Sequence, residues 1–337
     1  MISLERAKEI VGNFRGQRIL VVGDLMLDRY ICGTVNRISP EAPVPVVRVT
    51  REHCSPGGAA NVASNIQSLG GEAIVAGIVG KDSEAEKLME IITGKGIRDY
   101  GVLACDGVRT TVKTRILAER QQVVRVDWED PPEFNADIMK RFCRNIVDAA
   151  DGVAGVVIED YGKGAVCQES VDTVLKAAVE QGIPVGLDPK DNHDLKISGI
   201  ALATPNFKEA CGFAGLPDSP LCDEPASDKR LSRAGDILSK KWNSDLLIIT
   251  LGPHGMYLLC KGEEPRLIPT RASEGFDVSG AGDTVIATAF LSLVSGANYY
   301  EAASLANCAA GVVVGKVGTA TCSPEELFSF VEKDRVS

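Results

Sequence analysis

The sequence lacks the features that mark membrane, secreted and metal-thiolate proteins. No uninterrupted apolar stretch approaches the ~20 residues of a membrane span, and residues 1–16 are charged and mixed, unlike a secretory signal. The ten cysteines include no C-x-x-C pair, so they indicate reduced thiols rather than disulfides or zinc ligands. The three histidines stand far apart, which leaves little for a histidine metal site or catalytic triad. We therefore expect a cytoplasmic protein without a membrane partner.

Positive charge is also scarce, because 36 Lys and Arg residues face 46 Asp and Glu residues and the net charge is −10. This balance argues against a nucleic-acid surface and against a polybasic membrane patch. It leaves room for a small anionic substrate, because a few local basic side chains suffice to bind one. The length of 337 residues and the hydrophobic fraction of 45% are typical of a globular protein with a large core.

Two common nucleotide-binding motifs are missing as well. A Walker loop needs G-x-x-x-x-G-K-[ST], and the segment that comes nearest, residues 311–317, is one residue short and lacks the hydroxyl. A G-x-G-x-x-G motif is absent after the first predicted strand, where Gly23 is the only glycine. A hydride-transfer enzyme with a dinucleotide cofactor is therefore a weak alternative.

What the sequence does contain is a regular alternation of short apolar strands and helical patterns. Strands are predicted at residues 18–23, 73–79, 154–159, 183–187 and 245–250, and helices at residues 58–69, 135–149, 168–180, 227–241, 282–293 and 301–315. This alternation predicts an α/β fold with a mostly parallel central sheet, right-handed crossovers and helices on both faces.

Two β-branched, alternating segments, at residues 44–49 and 111–126, break this rhythm and suggest antiparallel strands. We assign them to a small β-sheet lid built from insertions near residues 29–51 and 109–127. The chain, residues 1–337, is otherwise expected to form a single domain. Such a lid has little core of its own, so one of its faces would be apolar and exposed.

A decapeptide at residues 276–285, FDVSGAGDTV, carries the most chemical information. Its small residues Gly280, Ala281 and Gly282 let backbone N–H groups approach a phosphate, and the apolar run that follows predicts a helix whose N-terminus would bind an anion. Asp283 would repel a phosphate there unless it took a proton from a hydroxyl that attacks the phosphate. A glycine-rich turn with an aspartate helix cap would have the same sequence, so this loop alone leaves both interpretations open.

Further glycines and polar residues follow other predicted strands. Gly57 and Gly58 belong to a second glycine-rich turn that enters a helix, where Asn61 offers both a donor and an acceptor to a sugar hydroxyl. Asp24 and Asp28 follow the first strand, which is where an open α/β sheet binds its ligands. Close helix packing explains the glycines equally well, and turn formation or helix capping explains the aspartates.

The sequence N-F-K-E places Asn206 and Glu209 three residues apart, on one face of a predicted helix. Such a pair could orient water molecules around Mg²⁺, which keeps many of its waters when it binds protein. An isolated N-x-x-E is an equally ordinary start of a helix.

The motifs together resemble a known family. Residues 57–63 and 277–284, in this order and spacing, resemble the two signatures of the ribokinase-like (PfkB) carbohydrate kinases. Within that family, the chain is most similar to the kinases of lipopolysaccharide synthesis that act on D-glycero-β-D-manno-heptose 7-phosphate. The segments that carry this likeness are residues 22–30, 37–46, 121–127, 160–164 and 310–319, and the likeness extends from about residue 17 to residue 332.

The resemblance implies a ribokinase-like fold and transfer of the γ-phosphate of ATP to a sugar hydroxyl. For the heptose kinases the acceptor is O1 of heptose 7-phosphate and the product is the 1,7-bisphosphate. Asp283 matches the catalytic base of the family, and the three small residues before it match its anion hole. Asn206 and Glu209 match the motif that organises Mg²⁺. The segment 307–318 matches one wall of the nucleotide site, whose end often helps to hold a monovalent cation such as K⁺.

The resemblance also assigns the two binding sites residue by residue. The nucleotide-binding residues that it implies are Asn206, Thr250, Gly252, Gly255 and Asn307. The substrate-binding residues expected from the motifs and from the resemblance are Asp24, Asp28, Gly57, Gly58, Asn61, Arg125, Lys163 and Lys190.

Three of these residues are chosen because a sugar phosphate is a dianion and needs local cations, which Arg and Lys supply. Arg125 is expected to act as a clamp on the lid. Lys163 lies between two glycines that let a ligand approach the backbone, and Lys190 follows a predicted strand. Each of them could instead be an ordinary solvated surface charge.

Relatives in the family commonly bury the lid against that of a second copy, so the resemblance implies a homodimer through residues near 29–51 and 109–127. The chain departs from the heptose kinases at two places. Glu159 precedes Asp160 where a small residue is usual, and residues 250–255 look more like generic ribokinases. Some heptose kinases are fused to a cytidylyltransferase, but no H-x-G-H motif is present, so a single activity is expected. The alternatives are another PfkB-type kinase, acting on ribose, fructose or a fructose phosphate, and a non-catalytic sugar-binding protein.

Overall fold

A computed structural model of the chain describes residues 2–119, 121–130, 134–191, 193–270, 278–316 and 318–333. These residues form a nine-stranded sheet flanked by helices and a separate four-stranded sheet. The predicted α/β class with a small second sheet is confirmed. Among the described residues, no helix combines the length and the apolar character that crossing a membrane requires.

The bounds of the elements follow the predicted alternation closely. The strands are β1 (Arg18–Gly23), β2 (Leu25–Ile38), β3 (Pro45–Gly58), β4 (Glu72–Gly80), β5 (Arg98–Cys105), β6 (Thr111–Ala118), β7 (Gln121–Trp128), β8 (Gly155–Glu159), β9 (Val185–Asp188), β10 (Leu202–Ala203), β11 (Leu246–Thr250), β12 (Met256–Cys260) and β13 (Arg266–Ile268). The helices are α1 (Leu4–Gly12), α2 (Ala59–Ser68), α3 (Ser83–Gly94), α4 (Ala136–Ala149), α5 (Gln168–Gln181), α6 (Phe207–Phe213), α7 (Lys229–Trp242), α8 (Ala281–Val294), α9 (Tyr299–Val314) and α10 (Pro324–Lys333).

The central sheet has the strand order β13-β12-β11-β10-β9-β8-β1-β4-β5. Neighbouring strands from β11 to β5 are parallel, and only the pairs β11–β12 and β12–β13 at one edge are antiparallel. The order reverses at β1, which pairs with β4 on one side and with β8 on the other. In an open α/β sheet, ligands bind at the carboxyl ends of the strands beside such a reversal.

Side chains on β1 point alternately into two hydrophobic cores, one on each face of the sheet. Ile19 and Val21 pack with helices α1, α2, α8 and α9, whereas Leu20 and Val22 pack with α4, α5 and α7. A strand buried on both faces needs a continuous apolar sequence, and the run R-I-L-V-V-G supplies it. The cores fix the carboxyl end of β1 in the middle of the molecule.

The small sheet has the order β3-β2-β6-β7 and corresponds to the sheet predicted from the two insertions, whose role as a lid stays a prediction. It is wider than the predicted insertions, because β2 begins one residue after β1 ends and β3 runs directly into α2. The expectation of antiparallel pairing holds for the hairpins β2–β3 and β6–β7. It is wrong for the junction between them, where β2 and β6 are parallel. Every residue of β7 is exposed.

Several elements were not predicted from the sequence: α1, α3, β5, β10, β12, β13 and α10. The β-branched segment at residues 111–126 comprises two strands, β6 and β7. The break falls beside Glu119, whose φ of 56° is left-handed and ends β6 in a tight turn.

Candidate active site

Asp283 lies in the first turn of α8 and is buried. Its carboxylate accepts a hydrogen bond from Asn61 Nδ2 at 2.6 Å and another from the hydroxyl of Tyr161 at 2.8 Å. Burial raises the pKa of Asp283, and the two hydrogen bonds oppose that rise. The result is a carboxylate fixed in position by two donors and more basic than an ordinary aspartate, as a general base requires.

The small residues before Asp283 form the N-terminal end of the 14-residue helix α8. Gly280 has a left-handed φ of 78°, and a Cβ atom there would come within 2.7 Å of Asn61 Nδ2, so only glycine fits. The Ala281 N–H donates to the carbonyl of Val278 at 3.2 Å, whereas the Gly282 N–H belongs to a helix turn that lacks intrahelical acceptors. The helix end keeps its positive potential for an anion. Residues 276 and 277 of the decapeptide lie outside the described part of the chain.

A buried polar network attaches α8 to α2. The Thr284 hydroxyl bonds to Asn65 Oδ1 at 3.1 Å, and Asn65 Nδ2 donates to the carbonyl of Asn61 at 3.0 Å. Because Asn61 also donates to Asp283, the glycine-rich turn after β3 and the glycine-rich loop before α8 are held in one arrangement. The two family signatures therefore meet at one carboxylate.

A cleft of about 480 Å³ opens beside the N-terminus of α8. Four of the predicted nucleotide-binding residues line it: Thr250, Gly252, Gly255 and Asn307. Ala281 and Gly282 of the predicted anion hole lie in the same wall. Asn206, the fifth, lines a neighbouring cleft that shares Thr250 and Gly252 with the first. The geometry suits a nucleotide whose phosphates point at the helix N-terminus.

Asn206 and Glu209 form a reciprocal capping box at the start of α6. Asn206 Oδ1 accepts the Glu209 N–H at 2.9 Å, and Glu209 Oε2 accepts the Asn206 N–H at 3.0 Å. The other carboxylate oxygen of Glu209 is 3.5 Å from Lys190 Nζ. Lys190 therefore lies beside the predicted metal residues rather than with the other basic residues expected to bind substrate.

Asp28, predicted to bind substrate, lies on β2 near the start of the small sheet. It is buried and accepts a hydrogen bond from Arg115 at 2.6 Å. Burial raises the pKa of Asp28, and the nearby charges of Arg115, Lys113 and Arg125 oppose that rise. A Cβ at Gly57 would come within 2.9 Å of Asp28 Oδ2, so this glycine makes room for the aspartate.

Asp24, which was predicted to bind substrate, accepts hydrogen bonds from the backbone. Its carboxylate accepts three backbone N–H groups, those of Tyr161, Lys163 and Ala165, at 2.9 to 3.0 Å. Burial nevertheless raises the pKa of Asp24 to about 6. These bonds hold the loop after β8 and engage both carboxylate oxygens of Asp24. The contact of Asp24 with a sugar hydroxyl stays a prediction. Gly58, with φ of 56°, packs against the Asp24 carbonyl, where a Cβ would come within 2.4 Å.

Basic side chains gather on the lid side of Asp28. Lys113 pairs with Asp28 in the register of β6 and β2, and Arg115 pairs with Arg125 across β6 and β7. Burial lowers the pKa of Lys113, the charge of Asp28 raises it, and the nearby charges of Lys163 and Arg125 lower it. Lys163 is paired with Glu129 at 2.7 Å, and Arg125 with Asp127 at 2.9 Å. The Lys113 ammonium lies 4.7 Å from the centre of the Tyr161 ring. Among the described residues, no carboxylate lies within ion-pairing distance of Lys113.

Sequence reasoning missed three of these residues. Lys113 and Arg115 alternate on β6, which places both on the face that carries Asp28. The K-x-R spacing in a predicted strand could have indicated two cations on one face of the sheet. Tyr161 belongs to the D-Y-G-K-G segment that supported the resemblance, but nothing in the sequence tells that its hydroxyl reaches Asp283.

A model of the pfkB family of carbohydrate kinases matches residues 17–326. The chain belongs to the pfkB family of carbohydrate kinases. As a member it is an ATP-dependent sugar kinase, and the family predicted from the two glycine-rich signatures is confirmed. The alternative of a non-catalytic sugar-binding protein finds no support in this match.

Curated relatives cover nearly the whole kinase chain. The bifunctional protein HldE of Vibrio parahaemolyticus is 41% identical over 322 residues, which are 95% of this chain and 64% of that protein. The bifunctional protein HldE of Geobacter sulfurreducens is 42% identical over 308 residues, 91% of this chain and 61% of that protein. The kinase thus spans less than two thirds of the length of these relatives.

Solved structures share the fold of the kinase at low sequence identity. Arabidopsis thaliana ribokinase, complexed with ribose and ATP, has a TM-score of 0.70 and 20% identity, covering 94% of this chain and 99% of that one. Escherichia coli phosphofructokinase-2, in complex with potassium, has a TM-score of 0.75 and 20% identity, covering 94% and 98%. At this identity the likeness shows the ribokinase-like fold alone.

Proposed function

We propose that this kinase transfers the γ-phosphate of ATP to O1 of D-glycero-D-manno-heptose 7-phosphate and forms heptose 1,7-bisphosphate. The observation that carries the substrate assignment is the group of cations around Lys113 on the sugar side of Asp283. A substrate that already bears a phosphate needs such a group in a protein of net charge −10. The segments similar to heptose kinases and the identity to the HldE proteins support the same choice.

In this proposal the residues divide the work of phosphoryl transfer. Asp283 accepts the proton of the sugar hydroxyl as that oxygen attacks the γ-phosphate, while Asn61 and Tyr161 hold its carboxylate in place. Asp28 orients the sugar by accepting hydrogen bonds from its hydroxyls. The N-terminus of α8 stabilises the negative charge that the phosphoryl oxygens carry during transfer.

The residues present fit Mg²⁺, because the polar groups beside the nucleotide cleft are carboxylate and amide oxygens, the donors that this ion prefers. Asn206 and Glu209 would hold it through water, and it would neutralise charge on the phosphate oxygens of ATP. Glu209 is buried with one carboxylate oxygen outside the capping box, directed toward Lys190. A monovalent cation such as K⁺ near the end of residues 307–318 is part of the same proposal.

A coupled assay of ADP release tests the proposal. The substrates are heptose 7-phosphate, ribose, fructose and fructose 6-phosphate, each with ATP and Mg²⁺, and a reaction without sugar gives the background. We expect heptose 7-phosphate to have the highest kcat/KM, by at least about 10²-fold over sugars without a phosphate, since the lost ion pairs act on binding and positioning. A higher value for ribose or fructose would show that the heptose assignment is wrong, and sugar kinase activity would stand.

A further inference from the structure

Three carboxylates from different elements converge beside the N-terminus of α8. Glu159 ends β8, Asp188 ends β9, and the two residues pair directly in the parallel register of these strands. Asp283 approaches them from the first turn of α8. One carboxylate oxygen from each residue lies within 4.8 Å of the other two. We call these three residues the carboxylate cluster.

Glu159 gives the cluster its unusual character. The residue ends β8 and is 1% exposed. Its Oε2 atom is buried without any hydrogen-bond partner. A buried carboxylate oxygen that has lost its water and gained no donor is strongly destabilising. The fold therefore leaves a buried, unpartnered acceptor on a member of the cluster, which a bound cation would satisfy.

The basic residues nearby do not neutralise the cluster. Lys190 is paired with Asp191 and Glu209, at 3.3 and 3.5 Å. The charge of Lys113 lowers the pKa of Asp283, but its ammonium lies over the ring of Tyr161 and forms no ion pair with Asp283 among the described residues. In the part of the chain that the structure describes, no Lys, Arg or His lies within ion-pairing distance of Glu159, Asp188 or Asp283. Three acidic groups this close need a cation or shared protons.

We propose that Glu159, Asp188 and Asp283 bind a divalent metal cation in the nucleotide-free protein. The donors are all hard oxygen atoms, which favour Mg²⁺, Mn²⁺ or Ca²⁺ over softer metals. Separations of up to 4.8 Å suit a cation that binds oxygen at about 2.3–2.6 Å, since ligands on opposite sides are then about that far apart. This site is separate from Asn206 and Glu209, which would organise Mg²⁺ together with the phosphates of ATP.

One consequence of the site rests on the proposed function. A cation held by Asp283 competes with the proton that this residue accepts as a base, because both take the same carboxylate lone pairs. Free divalent cation in excess over ATP should therefore inhibit turnover. The inhibition should depend on Glu159, because that residue supplies one of the three carboxylates.

Mn²⁺ titration of the nucleotide-free protein, followed by the electron paramagnetic resonance signal of free Mn²⁺, tests the site directly. We expect wild type to bind one Mn²⁺ at the cluster, and Glu159→Ser and Glu159→Gln to weaken that binding by at least about tenfold, the usual effect of losing one charged ligand. Glu209→Gln is the control, because its carboxylate lies outside the cluster. It should retain the nucleotide-free Mn²⁺ site. Circular dichroism verifies that each variant is folded.

Two results would overturn the site. Wild type that binds no Mn²⁺ without nucleotide, or Glu159→Ser that binds it as tightly as wild type, would mean that the three carboxylates share protons instead. The second measurement is turnover at fixed MgATP with rising free Mn²⁺, where wild type should be inhibited and Glu159→Ser should be inhibited at least about tenfold less readily. Because the titration needs no turnover, it remains decisive even if heptose 7-phosphate is not the substrate.

Discussion

At the scale of single residues, Asp283 combines burial with two donors that fix its carboxylate. Asp283→Asn keeps the size of the side chain and removes its ability to accept a proton. We expect kcat to fall by about 10²–10⁴, the usual effect of losing a general base, while ATP still binds. Steady-state kinetics and nucleotide binding by calorimetry measure the two effects. Asp137→Asn, in the exposed first turn of α4, is the matched control, and near-normal turnover of Asp283→Asn would exclude the residue as the base.

The pH dependence of catalysis follows from the surroundings of the same carboxylate. Burial raises the pKa of Asp283, and the charge of Lys113 lowers it. A base works only when deprotonated, so kcat/KM should be lost as the pH falls through a pKa above that of an ordinary aspartate. Lys113→Met removes the cation and should move this acid limb to higher pH. Lys163→Met removes a charge that lowers the pKa of Lys113 rather than that of Asp283. This variant should raise KM for the sugar phosphate without moving the acid limb. Identical acid limbs in all three proteins would refute the assignment.

Some of the residue-scale picture was accessible from the sequence and some was not. The glycine-rich loop before an apolar helix pointed to Asp283 and its glycines, but a simple helix cap has the same sequence, so the resemblance to the family was needed to favour a catalytic base. The difference between Asp24 and Asp28 was not predictable, because both follow β1. Only the path of the loop after β8 decides that Asp24 accepts backbone N–H groups. The role of Tyr161 likewise depends on contacts between residues far apart in the chain.

At the scale of elements, the N-x-x-E pattern occurs twice with the same local geometry. Asn206 and Glu209 cap α6, and Asn298 and Glu301 form an equivalent capping box at α9. Local sequence predicts both helix starts, because the capping box is a local interaction. Only the parallel sheet, which brings the start of α6 to the ends of β9 and β11, distinguishes a cap beside the cleft from a cap on the surface.

The repeated pattern provides a controlled test of the metal role. Glu209→Gln should raise the Mg²⁺ concentration needed for half-maximal turnover, because it removes the charge that orients the water ligands of the metal. Glu301→Gln makes the same change in the capping box of α9 and should leave the Mg²⁺ titration unchanged. Equal titrations for wild type and both variants would mean that Glu209 only begins a helix.

For the fold as well, local sequence patterns predicted many of the elements but not how distant strands pair. The alternation of strands and helices predicted the central sheet, because a strand buried on both faces must be apolar throughout. Elements such as α3 and β5 escaped prediction since their patterns are weaker and mixed with charged residues. The parallel pairing of β2 with β6 could not be predicted, because β-strand propensity does not specify the partner.

At the scale of the whole molecule, the lid leaves apolar side chains uncovered. Ile38, Val49 and Trp128 are each more than half exposed, and all of β7 is exposed. Exposed large apolar side chains are typical of interaction sites when they cluster, so we expect a homodimer that buries one lid against the other. Light scattering at micromolar concentration should give twice the mass of the chain. Val49→Glu should give a monomer, and Val179→Glu, on the exposed face of α5, should not. A monomeric wild type would contradict the prediction.

The parallel junction between β2 and β6 bears on the order in which the molecule folds. The hairpins β2–β3 and β6–β7 join neighbours in the chain, but Met26 reaches Thr111 only after α2, β4, α3 and β5 have been laid down between them. Closing so long a loop costs entropy that nearby contacts must first offset. We therefore expect the small sheet to complete its pairing late, on a core that has already formed. Asp28, on β2, meets Lys113 and Arg115 only in that step, so we expect the surroundings of Asp28 to form after the cleft beside α8.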